Sequence, residues 1–322
     1  MPISAAVCER FIQASGATLI VCMLLAPSWA LATQCNVDGE GEFAGEKVQL
    51  VHPKELNASA DIGLFKAPLA VNTDGAPTSY HPNDFLGEKL AINRLDNGIS
   101  IKRWFGFSPS TEKKIEVFNT WRESGFQKVP TWFTIHWTNV IAANPDGTPC
   151  IFKQENAGYF GSLTALKNGL PAKEAGECQS KNQLDQRVIP AIVLRGGSAN
   201  PLTQWGAQLG DLVVAVNPSN GKVVPAVIGD SGDGDRIGEG SVALNIALLG
   251  GHQPKNYPEA KGLDTGDLAI VVAVLQKSFD YERGLPYSAE NIGKRVSSWA
   301  VTHGYKSLQG LADSANECAD KL

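Results

Sequence analysis

The sequence predicts an α+β, β-rich protein whose core is a small closed β-barrel, with short helices and a Trp-rich helical insert. Four runs of β-branched and aliphatic residues have the length of a strand, and Gly, Pro, Asn or Asp bounds each of them on at least one side. These runs are 188–194, 212–216, 223–228 and 268–275. Because they are almost continuously apolar, they predict strands buried on both faces, as in a closed barrel.

The composition fits a globular protein with an acidic balance. Hydrophobic residues make up 43% of the 322 residues, which is enough for a core, and the net charge is −5. A nucleic-acid-binding protein usually carries a basic face, so the acidic balance argues against that class. An acidic surface favours a neutral or cationic partner instead.

The first 32 residues have the pattern of an export signal. Arg10 supplies a positive charge, and an apolar segment over 17–32 ends in Ala30-Leu31-Ala32, the small-x-small pattern of a cleavage site. The segment is short for a membrane span, and no other run approaches the ~20 apolar residues that a span needs. We therefore expect a signal peptide over 1–32 and one domain over 33–322. The protein is expected to be secreted or periplasmic, monomeric and free of the membrane once the signal is removed.

Four cysteines follow the predicted signal, and an even number in an exported chain favours two disulfides. Three pairings are open to Cys35, Cys150, Cys178 and Cys318. We expect Cys150–Cys178, which closes a local loop, and Cys35–Cys318, which joins the two ends of the domain. The alternative is a zinc site, but the sequence has no Cys-x-x-Cys pair among these four.

The N-terminal half predicts few regular elements. Residues 33–50 predict an extended arm, and 64–80 predict a short strand followed by a turn at Asp74-Gly75. The insert covers about 97–150 and contains an amphipathic helix that starts near Ser110 or Thr111 and runs to Gly125. We favour a core role over ring stacking on a ligand for three tryptophans of the insert: Trp104, Trp132 and Trp137.

The C-terminal half predicts strands joined by tight turns, with two helices. A strand is expected to start at 158–162, and 217–221 is typical of a hairpin connection. A helix over 241–249 is capped by Ser241 and stopped by glycines, and an amphipathic helix covers 288–303.

The segment GDSGDGDRIGEGS at 229–241 is the strongest candidate for a functional site. It holds Asp230, Asp233, Asp235 and Glu239 among five glycines, between a buried strand and a helix start that hold the loop in place. Two carboxylates across one cleft are sufficient for glycoside hydrolysis. The residues alone also leave open a solvated turn or a calcium-binding loop, although the spacing of the acids does not match an EF-hand.

Several motifs occur in the order found in one enzyme family. Asp74-Gly75-Ala76-Pro77 with Tyr80-His81-Pro82 is an early block, and GYFGSLTAL at 158–166 is a second. The strands VIPAIVL and GDLVV follow, and then Gly229-Asp230-Ser231 with Ile237-Gly238-Glu239-Gly240-Ser241. Together these blocks resemble glycoside hydrolase family 75, the chitosanases first known from fungi. The resembling blocks cover near half of the chain that follows the signal.

The resemblance implies endo-hydrolysis of the β-1,4 bonds of chitosan by a two-carboxylate inverting mechanism, without a metal or an organic cofactor. It implies that Asp230 and Glu239 are the two essential carboxylates of a catalytic domain over 33–322. We assign Asp230 as the general base and Glu239 as the general acid, and the sequence leaves the reverse order open. By analogy we expect a six-stranded barrel of the double-psi type. The other acids are candidates for binding the glucosamine ammonium groups: Asp74, Asp211, Asp233 and Asp235. For Asp74, a turn role is the competing interpretation.

Two other functions stay open at this point. The chain could be a non-catalytic wall-binding or export-associated module that uses the Trp-rich insert as its binding surface. It could also cleave peptidoglycan, since a lytic transglycosylase needs only one acid.

Overall fold

A nine-stranded sheet and a smaller two-stranded sheet organise the computed structural model, which describes residues 35–53, 61–170, 177–232, 234 and 236–322. The strands are β1 (Cys35–Phe43), β2 (Glu46–Pro53), β3 (Ile62–Pro68), β4 (Ala70–Asn72), β5 (Ser100–Arg103), β6 (Phe133–His136), β7 (Ala191–Arg195), β8 (Leu212–Asn217), β9 (Lys222–Gly232), β10 (Glu239–Ser241) and β11 (Ala269–Leu275). Residues Thr33–Leu322 form one compact unit. The predicted signal peptide lies outside the described residues.

Seven α-helices accompany these strands in the described chain. They are α1 (Leu95–Gly98), α2 (Thr111–Glu123), α3 (Pro201–Gln204), α4 (Val242–Leu249), α5 (Tyr257–Lys261), α6 (Ala289–Thr302) and α7 (Leu308–Ala319). None of the helices in the described residues is long and apolar enough to cross a membrane. The mixture of a large sheet with short helices confirms the α+β class.

The strand order of the large sheet is β1-β2-β3-β11-β8-β9-β7-β10-β4. β7 pairs with β9 and β10 pairs with β4 in parallel, and the other neighbours are antiparallel. Among the described residues no strand pair joins β1 to β4, so the expected closed barrel is not confirmed. The last strand in this order, β4, nevertheless belongs to the same chain segment as β3, because only Leu69 separates the end of β3 from the start of β4.

The central strands are buried on both faces, as their apolar runs predict. On one face, alternate residues such as Val214 and Ala273 pack with Trp299 of α6 and Leu311 of α7. On the other face, residues such as Val272 belong to a second cluster that includes the side chains of α4. Each fully buried Val or Leu side chain stabilises the fold by about 1.5–3 kcal/mol, so the two clusters hold this sheet rigid.

Three sequence predictions of strands need correction. The arm at 33–50 is part of a paired hairpin, since β1 and β2 are antiparallel and turn at Gly45. Residues 158–162 form only isolated bridges, because Gly158 has a φ of +93° that breaks an extended chain. The run from Val188 enters the sheet only at Ala191, since Pro190 has no N–H to donate to a neighbouring strand.

The insert has a core of its own. Helix α2 begins where the sequence predicts, with Ser110 Oγ accepting the Lys113 N–H at 3.4 Å. Trp121 and Trp137 are buried in the insert core, which confirms the core role for Trp137. The same prediction is wrong for Trp104 and Trp132, which are 69% and 61% exposed.

Both expected disulfides are present. Cys35, at the start of β1, is bonded to Cys318 of α7, and Cys150 is bonded to Cys178. The first bond therefore joins the two ends of the described chain. Two disulfides are typical of proteins that fold in an oxidising compartment.

Peptide mapping of the exported protein under non-reducing conditions is expected to recover these two linked pairs and no free thiol. The physical reason is that each pair lies within bonding distance in the folded chain, with Cα atoms 5.6 and 5.7 Å apart. Mass spectrometry after digestion without reductant measures this. Recovery of Cys35 linked to Cys150 or Cys178, or of stoichiometric zinc, would contradict the pairing.

Candidate functional site

The position of Asp230 depends on an irregularity between β7 and β9. In this parallel pair Ile192 lies opposite Ile228, but the next residue, Val193, lies opposite Asp230, so Gly229 is the extra residue of a β-bulge. Bulges redirect side chains next to functional sites. Asp230 is 7% exposed, and its Oδ1 accepts the backbone N–H groups of Ala165 and Ser231, both at 2.9 Å.

Glu239 is held by the short strand β10, between β4 and β7. The chain turns into this strand at Gly238, where φ is +88° and a Cβ would collide with the carbonyl oxygen of Pro68, so only glycine fits. Glu239 is 8% exposed. Its Oε1 lies 3.0 Å from Nη2 of Arg195, at the end of β7, and its Oε2 accepts the Asn72 Nδ2–H at 3.4 Å.

Asp74 joins the site from the turn after β4. Its N–H donates to Asn72 Oδ1 at 2.8 Å, so Asp74 does form part of the turn. Its carboxylate makes further contacts. The hydroxyl of Tyr80, which is fully buried, donates to Asp74 Oδ1 at 2.7 Å, and Asn93 Nδ2 in turn donates to the Tyr80 oxygen at 3.0 Å. At Gly75, φ is +81° and a Cβ would overlap Leu184 O, so the turn requires its glycine.

The three carboxyl groups act on one another electrostatically. Burial, followed by the charges of Asp230 and Glu239, raises the pKa of Asp74 from 3.8 to about 7, although the Tyr80 hydrogen bond opposes this. Burial also raises the pKa of Asp230 to about 6, with a further contribution from the charge of Glu239, while two backbone N–H bonds lower it. Proton binding by Asp74 and Asp230 therefore depends on the charges of their neighbours as well as on burial.

The site opens into a cleft of about 480 Å³. Asp74, Tyr80 and Glu239 line it, whereas Asp230 is not among the described lining residues. The lining is mixed in charge, because it also contains Asp96 and three cations: Arg195, Arg236 and Lys261. The described walls are therefore not the uniformly acidic surface that the composition led us to expect.

The structure brings together three of the six acids that the sequence singled out, namely Asp74, Asp230 and Glu239. Asp211 is elsewhere: it is fully buried, and its Oδ2 accepts the N–H groups of Gln208 at 2.9 Å and Lys277 at 3.3 Å. Burial raises its pKa to about 6. A carboxylate with no exposed surface cannot contact a polysaccharide, so the structure does not support substrate binding by Asp211. Asp233 and Asp235 lie outside the described residues.

Sequence reasoning missed Arg195, Asn72 and Tyr80 as members of the site. Arg195 was detectable as the first charged residue after the apolar run 188–194. Tyr80 belongs to the early block of the family resemblance, but nothing in the sequence connects its hydroxyl to Asp74.

One group of potential metal ligands occurs in the described residues, away from this cluster in sequence. It consists of Asp38, His52 and Asp61, whose ligand atoms lie within 4.8 Å of one another. His52 Nδ1 lies 2.9 Å from Asp61 Oδ1 and 3.7 Å from Asp38 Oδ2, which is the arrangement of a hydrogen-bonded histidine between two acids. The prediction that the reaction needs no metal stays a prediction.

Comparison with models of known protein families gave no match, and no curated protein sequence matched the chain. The resemblance to glycoside hydrolase family 75 therefore rests on its motif residues.

Proposed function

We propose that the protein is an exported glycoside hydrolase that cleaves β-1,4 bonds in chitosan or another glucosamine-containing polysaccharide. The observation that carries the proposal is the cluster of Asp74, Asp230 and Glu239, in which the charges of Asp230 and Glu239 act on Asp74. Asp74 and Glu239 also line the cleft. Burying several acids side by side is unfavourable, because each charge loses hydration and repels the others. Clusters with raised carboxyl pKa values of this kind are typical of catalytic sites.

The reaction needs one ionised and one protonated carboxyl group. The ionised base removes a proton from water, whose oxygen bonds to the anomeric carbon as the glycosidic C–O bond breaks. The acid gives its proton to the leaving oxygen. The enzyme returns to its starting state when the two carboxyl groups exchange a proton with solvent.

The electrostatics support the reverse of the roles that we assigned from the sequence. The contact between Glu239 and the Arg195 guanidinium is one that an ionised carboxylate makes, which suits a base. The pKa of Asp230, about 6, leaves it protonated in mildly acidic solution, which suits an acid. In the proposal Glu239 activates water and Asp230 protonates the leaving group. Asp74 is a positioning residue, because its carboxylate accepts the hydrogen bond of the Tyr80 hydroxyl at the wall of the cleft.

The proposal includes an extracytoplasmic location for the protein and a closed six-stranded barrel for its core. The two disulfides support an extracytoplasmic location, secreted or periplasmic. The contiguity of β3 and β4 supports a six-stranded barrel, in which the segment 62–72 pairs with β11 at one end and β10 at the other.

Reducing-sugar release from chitosan, chitin and peptidoglycan, compared at equal enzyme concentration, tests the proposed function. We expect release from chitosan, with the product of opposite anomeric configuration when followed by NMR, because an inverting enzyme uses one displacement. Release from peptidoglycan alone would assign the chain to wall cleavage. Binding to any of the three without release would identify a non-catalytic module, and both outcomes would refute the proposal.

A further inference from the structure

Half of the large hydrophobic side chains that are exposed in the described chain lie at one end of the insert. Five residues form this surface, which we call the aromatic tip: Trp104 (69% exposed), Phe105 (81%), Phe107 (72%), Val129 (43%) and Trp132 (61%). The tip sits at the end of the β5–β6 sheet, where Arg103 pairs with Phe133. An exposed apolar cluster of this kind in a folded protein marks an interaction surface.

The backbone holds the tip in a defined shape. The Trp104 N–H donates to the Trp132 carbonyl at 2.9 Å, and the Arg103 N–H donates to the Phe107 carbonyl at 2.8 Å. The two indole rings meet edge to face at 5.7 Å. Trp132 has a φ of +72°, an unfavourable conformation for a residue with a side chain. Strained backbone of this kind is found where a function requires it.

The two chain segments that form the tip carry only basic charged residues, and Glu116 of the neighbouring helix α2 is paired with Lys113 at 2.6 Å. Lys102, Arg103 and Lys128 are exposed there, and the segments 99–110 and 126–136 contain no acidic residue. The whole chain has a net charge of −5, so this end of the molecule has the opposite sign to the average. Chitosan is itself cationic, and the tip would repel it, so the tip is not a subsite of the proposed cleft.

We propose that the aromatic tip docks on the surface of an anionic lipid bilayer. Trp side chains favour the membrane–water interface, where the ring contacts lipid and the indole N–H stays hydrated, and Phe side chains add apolar area that lipid can bury. Lys102, Arg103 and Lys128 are exposed and adjoin the aromatic residues in the sequence, so they are available to lipid phosphates. Four aromatic rings and three cations together supply the two kinds of attraction that peripheral binding needs. This inference is independent of the proposed hydrolysis.

Co-sedimentation of the full chain with lipid vesicles tests the proposal. One set of vesicles contains phosphatidylcholine only, and the other contains phosphatidylcholine with phosphatidylglycerol. We expect binding to the second set, a blue shift of tryptophan fluorescence on binding, and weaker binding at high salt, because salt screens the cationic contribution.

Two double variants and one control separate the contribution of the aromatic rings from that of the cations. Phe105→Ser with Phe107→Ser is expected to weaken binding by about tenfold or more, since two exposed rings no longer enter the interface. Lys102→Gln with Lys128→Gln is expected to weaken binding to the anionic vesicles only. Val301→Ser, which changes an exposed apolar residue of α6, is the control and should leave binding unchanged.

Three results would overturn the proposal. The first is equal sedimentation with both vesicle types, or a loss of vesicle binding in the Val301→Ser control as large as that in the Phe105/Phe107 variant. The second is a wild-type dimer that the Phe105/Phe107 variant converts to a monomer, which would make the tip a contact between two copies. The third is binding to an anionic polysaccharide such as alginate without binding to anionic vesicles.

Discussion

Glu239→Gln is expected to lower kcat on chitosan by about 10²–10⁴-fold, the usual contribution of a general base or acid. The single oxygen of Gln can still accept a hydrogen bond from Arg195, although its NH2 group cannot accept the one from Asn72, and Gln cannot remove a proton from water. The thermal midpoint should therefore stay within a few degrees of the wild type. Kinetics of reducing-sugar release, with thermal unfolding measured in parallel, separate loss of chemistry from loss of fold.

Asp230→Asn is expected to lower kcat by a similar factor, but with a different dependence on the leaving group. An acid matters most for a poor leaving group, so an activated aryl glycoside of glucosamine should lose less activity than chitosan. A base variant, Glu239→Ala, should lose activity on both substrates and regain part of it with azide, which replaces the activated water. Azide rescue of Asp230→Ala instead would restore the roles that we assigned from the sequence.

The pH dependence follows from the same assignment. Because the pKa of Asp230 is raised to about 6, the proton needed for catalysis is present below that pH and lost above it. We expect kcat of the wild type to fall as pH rises through about 6. Asp267→Asn, which changes an exposed aspartate before β11, is the matched control and should keep the wild-type rate and profile. Near-wild-type rates in Glu239→Gln would remove the basis of the proposed function.

Asp74→Asn is expected to stabilise the protein at pH 8 by up to about 4 kcal/mol, since each unit of pKa shift corresponds to ~1.36 kcal/mol. In the folded protein the pKa of Asp74 is about 7, against 3.8 for an ordinary aspartate. Between these values the folded state binds more protons than the unfolded state, so stability falls as pH rises. Asparagine keeps an oxygen for the Tyr80 hydroxyl but never acquires the buried charge.

The measurement is the thermal midpoint of wild type and Asp74→Asn across pH 5 to 8. The difference between the two should be small at the acid end and grow towards pH 8. The difference isolates Asp74 from other groups, such as Asp84, whose pKa is lowered by backbone N–H bonds and whose effect on stability has the opposite sign. A difference that is flat across this range, as expected for the Asp267→Asn control, would show that Asp74 is not a buried acid with a raised pKa.

Features that depend on neighbouring residues were predictable from the sequence. Ser110, Ser241 and Ser288 each precede a helix, and each side-chain oxygen accepts the N–H of the third residue after it. The strands β8 and β11 agree with their apolar runs within one residue. These signals succeed because a cap or a continuous apolar run has the same physical effect wherever it lies in the fold.

Features that depend on distant partners were not predictable in this way. The sequence favours burial for Trp104 and Trp132, yet both are exposed, because the two-stranded β5–β6 sheet ends before a second layer covers its tip. The bulge at Gly229 is also invisible in the sequence, since it arises from the pairing of β9 with β7. Hydrophobicity indicates what a side chain favours, but only its neighbours in space determine whether it is covered.

The sequence by itself determined the α+β class, the disulfide partners favoured by an exported chain, and the positions of Asp230 and Glu239 in one short segment. Only the tertiary structure decided that Asp74 joins them, that Arg195 pairs with Glu239, and that Asp211 does not reach the cleft. The physical reason is strand order: β4 lies beside β10 because of pairing across the sheet, and that pairing brings the Asp74 turn to the carboxylates. Proton affinities in the cluster follow from this proximity and from burial, neither of which is a property of any one segment.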